Sequence, residues 1–229
     1  MKLLSAPLLA LIATTPTLAH FVYVVPSDNQ SEVQIVFSET PAPDEKVVVD
    51  KILSTKLQAI DKAGHETPLP WTRTSDHFLT AKLPAPAPVV VAGVTDYGVT
   101  NSRHTGNIPV LIKYYPKAIL GDLLSVPSSQ APAVIEILPV VRETRLTFRA
   151  LAQGKPLAES DCVVKTPGDE KGERSKTNTD GSLPGQFDKA GRYGVWVRLV
   201  DLSPGEVNGM HYDKVHSYAT LVVDFPGAK

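Results

Sequence analysis

The sequence predicts an all-β protein in which two β-sandwich domains follow a signal peptide. Short runs rich in valine and aromatic residues alternate with turn residues along most of the chain. The 20 prolines and 15 glycines favour strands and turns over helices. Residues 125–132, Ser-Val-Pro-Ser-Ser-Gln-Ala-Pro, are polar and proline-rich and indicate a boundary. We therefore expect a signal peptide at residues 1–19, a β-sandwich at 20–124 and an Ig-like β-sandwich at 133–229.

The first residues have the features of a secretory signal. Lys2 precedes a mostly apolar run over residues 3–13, and small residues stand at Thr17 and Ala19, the positions that a signal peptidase reads. The apolar run is too short to span a bilayer. Cleavage after Ala19 would make His20 the first residue of a soluble periplasmic or secreted protein, with no stable membrane insertion.

The N-terminal domain is predicted to consist of short strands. The alternation of apolar and polar residues, typical of a half-buried strand, is clearest at residues 78–83. Residues 95–108 are expected to form a long polar loop. The predicted strands are residues 21–25, 33–38, 47–49, 57–61, 68–71, 78–83, 89–94 and 109–115.

The C-terminal domain shows the same pattern of strands and turns. Residues 166–176 are charged and contain glycine, so we expect a loop there, and Thr179-Asp180-Gly181 indicates a tight turn. The predicted strands are residues 134–138, 145–150, 162–165, 191–200 and 217–223.

Composition excludes several classes of partner. Apolar residues make up 42% of the chain and charged residues 21%, which is typical of a globular protein. The net charge of −1, without a basic cluster, argues against nucleic acid and lipid headgroups as partners.

Cys162, the single cysteine, cannot form an internal disulfide, and its neighbours Val163 and Val164 predict a buried, inert thiol.

A histidine at the mature N-terminus would carry two metal ligands on one residue. The α-amine and the imidazole of His20 can chelate one ion when the amine is deprotonated and the ring is neutral. The strand predicted at residues 21–25 would fix this chelate to a rigid scaffold. Cleavage displaced by one residue would remove the amine ligand.

Several turn and strand residues of the C-terminal half resemble a known module. They are Gly154-Lys155-Pro156-Leu157, Thr179-Asp180-Gly181 and Ala190-Gly191-Arg192-Tyr193. These residues are similar to those of carboxypeptidase-regulatory-like, transthyretin-like β-sandwich modules, so the resemblance implies a β-sandwich here.

The exported chain as a whole resembles a family of exported bacterial proteins that are often labelled nickel-uptake or transition-metal-transport accessory proteins. The similar segments are Ala19-His20-Phe21, Asp96-Tyr97-Gly98-Val99 and Tyr114-Tyr115-Pro116-Lys117-Ala118. The resemblance implies periplasmic metal handling with His20 as a ligand. The terminal histidine is also similar to histidine-brace copper sites of copper carriers and polysaccharide monooxygenases, a similarity limited to this one residue.

A brace needs at least one more imidazole, and no HExxH or CxxC spacing selects it. His104 lies in the loop predicted at residues 95–108, and His211 and His216 flank a polar segment before the last strand. Met210 beside His211 would favour Cu(I), whereas amine and imidazole ligands alone suit Cu(II) or Ni(II).

The two remaining histidines, His65 and His77, are interpreted as ordinary turn and strand-end residues. The predicted metal ligands are therefore His20, His104, His211 and His216, and the predicted cofactor is a copper or nickel ion.

These features predict a non-catalytic protein that acts in periplasmic metal uptake, buffering or delivery, with a membrane metal transporter as a possible partner. One alternative is a structural or adhesion module that binds a protein or glycan. A histidine-brace copper oxidase is the second alternative and the best enzyme hypothesis. Hydrolase chemistry is disfavoured because Gly-x-Ser-x-Gly is absent and Ser75, Asp76 and His77 are adjacent in sequence, unlike a catalytic triad.

Overall fold

The computed structural model of the protein describes residues 20–102, 105–121, 123 and 133–227. These residues form β-strands and one short 3-10 helix at Val49–Ile52, so the predicted all-β class is confirmed. The strands are β1 (Phe21–Pro26), β2 (Glu32–Ser38), β3 (Lys56–Ile60), β4 (Glu66–Leu69), β5 (Thr72–Arg73), β6 (Phe78–Lys82), β7 (Val90–Asn101), β8 (Pro109–Ile119), β9 (Glu136–Arg142), β10 (Arg145–Ala152), β11 (Lys155–Pro156), β12 (Asp161–Thr166), β13 (Asp169–Lys176), β14 (Gly191–Asp201), β15 (Gly205–Val207), β16 (Met210–Tyr212) and β17 (Lys214–Phe225).

One eight-stranded sheet forms the centre of the structure. Its strand order is β13-β12-β14-β17-β8-β7-β3-β4. All neighbouring strands in it are antiparallel except β8 and β17, which run parallel from the pair Val110–Lys214 to the pair Ile119–Val223. This parallel pair joins strands from the two predicted domains into one continuous sheet.

Smaller sheets cover the two faces of the central sheet. The sheet β1-β2-β6-β5 packs on one face and the sheet β11-β10-β9 on the other. Side chains alternate across a strand. Tyr218 and Val222 of β17 therefore contact the sheet β1-β2-β6-β5, which we call the first layer, while Leu221 and Val223 contact the sheet β11-β10-β9, the second layer. The result is a three-layered β structure with a separate hydrophobic core on each side of the central sheet.

Strand β1 lies inside the first of these cores. All of its residues, Phe21–Pro26, are buried, and it packs across β8 and β17. The Thr220 hydroxyl of β17 donates a hydrogen bond to the Val22 carbonyl over 2.6 Å. This strand is apolar throughout because neither of its faces meets water.

The second core lies beneath the β9–β10 hairpin. Leu146 and Phe148 of β10 are buried against Val195 and Leu221 of the central sheet. Near this interface the Lys117 ammonium of β8 and the Glu136 carboxylate of β9 form an ion pair over 2.7 Å, with side chains only 10% and 17% exposed. Burial lowers the pKa of Lys117, and the adjacent Glu136 carboxylate opposes that shift.

The division into two domains stays a prediction. The proposed boundary at residues 125–132 lies outside the described residues. On either side of it, β8 and β17 share the ladder of the central sheet.

Three local predictions were wrong. Residues 95–101 belong to β7, which continues past a bulge at Asp96–Gly98, so the loop before β8 is shorter than expected. Strand β13 occupies most of the loop predicted at residues 166–176; it is an edge strand, where charged side chains remain hydrated. The strand predicted at residues 47–49 is not formed: residues 47 and 48 follow a turn, and Val49 begins the 3-10 helix.

No helix among the described residues is long and apolar enough to cross a membrane.

Candidate metal centre

His20 stands directly before the buried strand β1, as the sequence predicted. Its position is fixed by the residue that follows, because the Phe21 ring stacks on Trp196 at 4.7 Å and meets Tyr218 edge-on at 5.3 Å. The His20 carbonyl accepts a hydrogen bond from the Tyr114 hydroxyl over 3.2 Å. The backbone of His20 is therefore held from both β1 and β8.

The imidazole of His20 faces one carboxylate. Its Nε2 lies 3.6 Å from Oδ2 of Asp44, and both side chains are 30% exposed. The other oxygen, Oδ1, accepts a hydrogen bond from the Lys46 backbone amide over 2.9 Å, which fixes the rotamer of the aspartate. Asp44 thus presents its second oxygen to the histidine ring.

An aromatic cluster of Phe37, Tyr97, Tyr114 and Tyr218 adjoins the His20 ring. The ring of Phe37 lies 5.5 Å from that of His20 and 6.1 Å from that of Tyr114. Tyr114 contacts Tyr97 edge-on at 5.8 Å and stacks on Tyr218 at 5.6 Å. Burial, followed by the neighbouring phenols Tyr218 and Tyr97, raises the pKa of Tyr114, so its hydroxyl stays protonated and donates to His20.

His216 lies within strand β17 rather than in the polar loop predicted around it. The residue is 4% exposed, and its ring meets the Tyr218 ring edge-on at 6.1 Å. Burial, followed by the positive charges of Arg198 and Lys214, lowers the pKa of His216 to about 4. The ring is therefore neutral at physiological pH, but the same two cations disfavour a metal ion beside it.

His211 makes no ring contact with this cluster among the described residues. It belongs to the short strand β16, its side chain is 65% exposed, and its Nε2 lies 3.1 Å from Asp213 Oδ1. The neighbouring Met210 is 48% exposed. His104 lies outside the described residues.

The two histidines interpreted as structural have local partners. His65 Nδ1 lies 3.0 Å from Asp61 Oδ2, within the turn that joins β3 and β4. His77 Nδ1 lies 3.0 Å from the Val47 carbonyl oxygen. The predicted burial of Cys162 is confirmed; its thiol lies 3.3 Å from the Ser175 hydroxyl, and burial raises its pKa.

The structure brings His20 together with Asp44, a residue that the sequence analysis did not select. Within the described ranges, no three His, Cys, Asp or Glu side chains are grouped so as to hold a metal ion. The sequence around Asp44, Pro-Ala-Pro-Asp, indicates only a chain break, and nothing in it points to His20. The His20 imidazole beside the Asp44 carboxylate is thus the pair that the described residues bring together.

Comparison of the chain with models of known protein families, and with curated proteins, finds no match.

Proposed function

We propose that the protein binds a copper or nickel ion through His20 after cleavage at Ala19, and that it takes up, buffers or delivers this metal in the periplasm or outside the cell. A membrane metal transporter is the proposed receiver. The observation that carries the proposal is the orientation of the His20 ring, whose Nε2 faces Asp44 Oδ2 at 3.6 Å.

This orientation leaves Nδ1 available for the metal. The α-amine and Nδ1 of one histidine are separated by three carbon atoms, so a metal bound to both closes a stable chelate ring. Metal-ligating histidines generally direct their second ring nitrogen to a carboxylate or carbonyl, which orients the ring and increases its basicity. Asp44 is placed to act as that positioning residue.

Rigid attachment supports the same proposal. The amine belongs to the residue before β1, whose residues are all buried, and the Tyr114 hydroxyl holds the adjacent carbonyl. A ligand pair fixed by its surroundings loses less conformational entropy when the metal binds.

The remaining coordination positions are assigned to water, His104 or a partner protein. The two cations beside His216 disfavour a metal ion there, and His211 is 65% exposed and makes no ring contact with the aromatic cluster beside His20 in the described part of the chain. A site with few protein ligands suits a carrier that must release its ion. Amine and imidazole nitrogens favour Cu(II) and Ni(II) among the common metals.

The first test compares two chains that differ only at the N-terminus. One begins at His20 and the other carries one additional alanine before it, which moves the α-amine away from the histidine and keeps every side chain. Calorimetric titration with Cu(II) and Ni(II) should give one tight equivalent for the first chain and none for the second. Mass spectrometry of the exported protein should locate the N-terminus at His20.

The Asp44→Asn variant tests the positioning role. Loss of a carboxylate partner to a metal-ligating histidine typically weakens metal affinity about 10–100-fold. Asp213→Asn, beside the exposed His211, is the matched control and should leave the affinity unchanged. Equal, weak binding by the native and alanine-extended chains would reject the proposal and favour the structural or adhesion module.

A further inference from the structure

Three arginines line a concavity on the outer surface of the β9–β10 hairpin. Arg142 of β9 lies directly opposite Arg145 of β10, and Arg149 lies four residues further along β10. All three point away from the core, since Leu146 and Phe148 of the same strand are buried on the other face. The concavity, about 810 Å³ in volume, is closed on its other side by residues 178–186. We call it the arginine concavity.

Two of the guanidinium groups in the arginine concavity donate to neutral partners. Arg145 Nη1 donates to Gln186 Oε1 over 2.6 Å, and Arg149 Nε donates to the Asp180 backbone carbonyl over 2.9 Å. Within the described residues, none of the three arginines forms a salt bridge. Each guanidinium carries five N–H donors, so Arg145 and Arg149 each keep donors beyond the one engaged in these bonds.

Two carboxylates also line the concavity, Glu143 and Asp180, and neither forms a salt bridge with the three arginines in the described part of the chain. Asp180 Oδ1 accepts hydrogen bonds from the Ser182 hydroxyl and amide over 2.7 and 3.0 Å. These bonds, with a smaller contribution from the charge of Arg149, lower the pKa of Asp180. Glu143 lies at the tip of the hairpin, with φ at 56°.

The other arginines of the described chain are paired. Arg73, Arg192 and Arg198 each form a salt bridge with an aspartate, and Arg174 lies over the Trp196 ring. Like charges directly opposite each other on antiparallel strands are destabilising. Arg142 and Arg145 are such a pair, which an anionic ligand would neutralise.

We propose that the arginine concavity binds a multivalent oxyanion, a molecule with two or more carboxylate or phosphate groups. Guanidinium groups bind both kinds of oxyanion through paired N–H donors. Opposite residues on paired strands lie about 5 Å apart, and four residues along a strand span about 13 Å. Several anionic groups on one molecule match this spacing, whereas a single small anion would have to draw the three long side chains together.

This site is independent of the proposed metal centre. His20 and the first layer lie on one face of the central sheet, and the β9–β10 hairpin covers the other. Loss of oxyanion binding would therefore not affect the metal titration, and the reverse also holds.

Calorimetry with defined probes tests the proposal. Tripolyphosphate or citrate should bind at least tenfold more tightly than inorganic phosphate or acetate, respectively, and the tighter of the two multivalent probes identifies phosphate or carboxylate as the preferred chemistry. The double variant Arg142→Gln with Arg149→Gln should weaken binding at least tenfold. Lys82→Gln, an exposed cation at the end of β6, is the matched control and should bind as the native protein does.

A second variant adds a charge and removes none. Thr147→Glu places a carboxylate on the same face of β10 between Arg145 and Arg149, where it should compete with the ligand, weaken binding at least tenfold and keep the fold. Circular dichroism checks that each variant is folded. Equal affinity for multivalent and simple anions, or unchanged affinity in both folded arginine and threonine variants, would overturn the proposal.

Discussion

The two faces of the central sheet differ in what the aromatic rings of their cores contact. The face covered by β1 contains a connected group of rings, from Phe37 through Tyr114 and Tyr218 to Trp196, whose outer end adjoins His20. The face covered by the β9–β10 hairpin also contains connected rings, those of Phe148, Phe187, Tyr193 and Phe225, but no histidine ring contacts them in the described part of the chain. The first layer therefore connects its core to a candidate ligand, whereas the second carries its candidate site on its outer surface.

This difference predicts how perturbations spread. A change in the first core should reach the His20 ring through direct ring contacts. A change of equal size in the second core should reduce stability and leave metal binding intact, because the central sheet lies between them.

The largest expected effect comes from removing one buried ring from each layer. Phe21 is 4% exposed and Phe148 is 1% exposed, and truncating a buried phenylalanine to alanine typically costs about 3–5 kcal/mol of unfolding free energy. We expect this loss for both Phe21→Ala and Phe148→Ala in urea titrations. Only Phe21→Ala should also weaken Cu(II) binding, and an equal weakening by Phe148→Ala would contradict the separation of the layers.

The second largest loss of unfolding free energy is expected when the ion pair between Lys117 and Glu136 is broken. Glu136→Gln leaves the buried Lys117 ammonium without its counter-charge, and breaking a buried pair costs roughly 3 kcal/mol. The matched control is Asp96→Asn, which breaks the exposed pair with Lys113, where the side chains are 36% and 60% exposed. Exposed pairs contribute about 0–1 kcal/mol, so equal losses in urea titrations would show that Lys117 is hydrated in solution.

His216 should make stability depend on pH. Its pKa is about 4 in the folded protein against an ordinary value of 6.5, because burial and the charges of Arg198 and Lys214 disfavour the protonated ring. The unfolded chain therefore binds the proton first as the pH falls below 6.5. The contribution of His216 to stability is complete above that pH and is lost as the pH falls to about 4, by up to about 1.4 kcal/mol per pH unit.

Urea titrations across this pH range measure the slope. His216→Gln should flatten it, since glutamine does not titrate, and His211→Gln is the matched control for the same substitution at an exposed histidine. A slope that is identical in the native protein and His216→Gln would show that His216 titrates alike in the folded and unfolded states.

The sequence predicted strands well where burial alternates or is continuous. Strand β1 is apolar because both of its faces are covered, and β10 alternates because Leu146 and Phe148 face the core while Arg145 and Arg149 face water. Strand β13 was missed because an edge strand with charged residues has the composition of a loop. Apolar composition indicates which residues are buried, so a strand with few buried residues cannot be recognised from its composition.

Pairing between distant strands could not be predicted from local pattern. The parallel ladder of β8 and β17 depends on how the two halves of the chain meet, and so does the contact of His20 with Asp44. The candidate ligand His20 was recognisable from its place after the expected cleavage site. Its partner was not, because the loop that holds Asp44 is brought to His20 only by the packing of the first layer.

The smallest expected effect comes from removing one tyrosine hydroxyl from each of the two cores. The Tyr23 hydroxyl in the first core is buried and has no hydrogen-bond partner in the described part of the chain, whereas the Tyr193 hydroxyl in the second core donates to the Lys189 carbonyl over 2.9 Å. A buried, unsatisfied polar group carries a desolvation cost of about 1–3 kcal/mol, and a satisfied hydrogen bond contributes about 1 kcal/mol. Tyr23→Phe should therefore raise the unfolding free energy by about 1 kcal/mol, and Tyr193→Phe should lower it by about the same amount. A loss of stability in Tyr23→Phe equal to that in Tyr193→Phe would mean that the Tyr23 hydroxyl is hydrogen-bonded in solution, with a buried water as its partner.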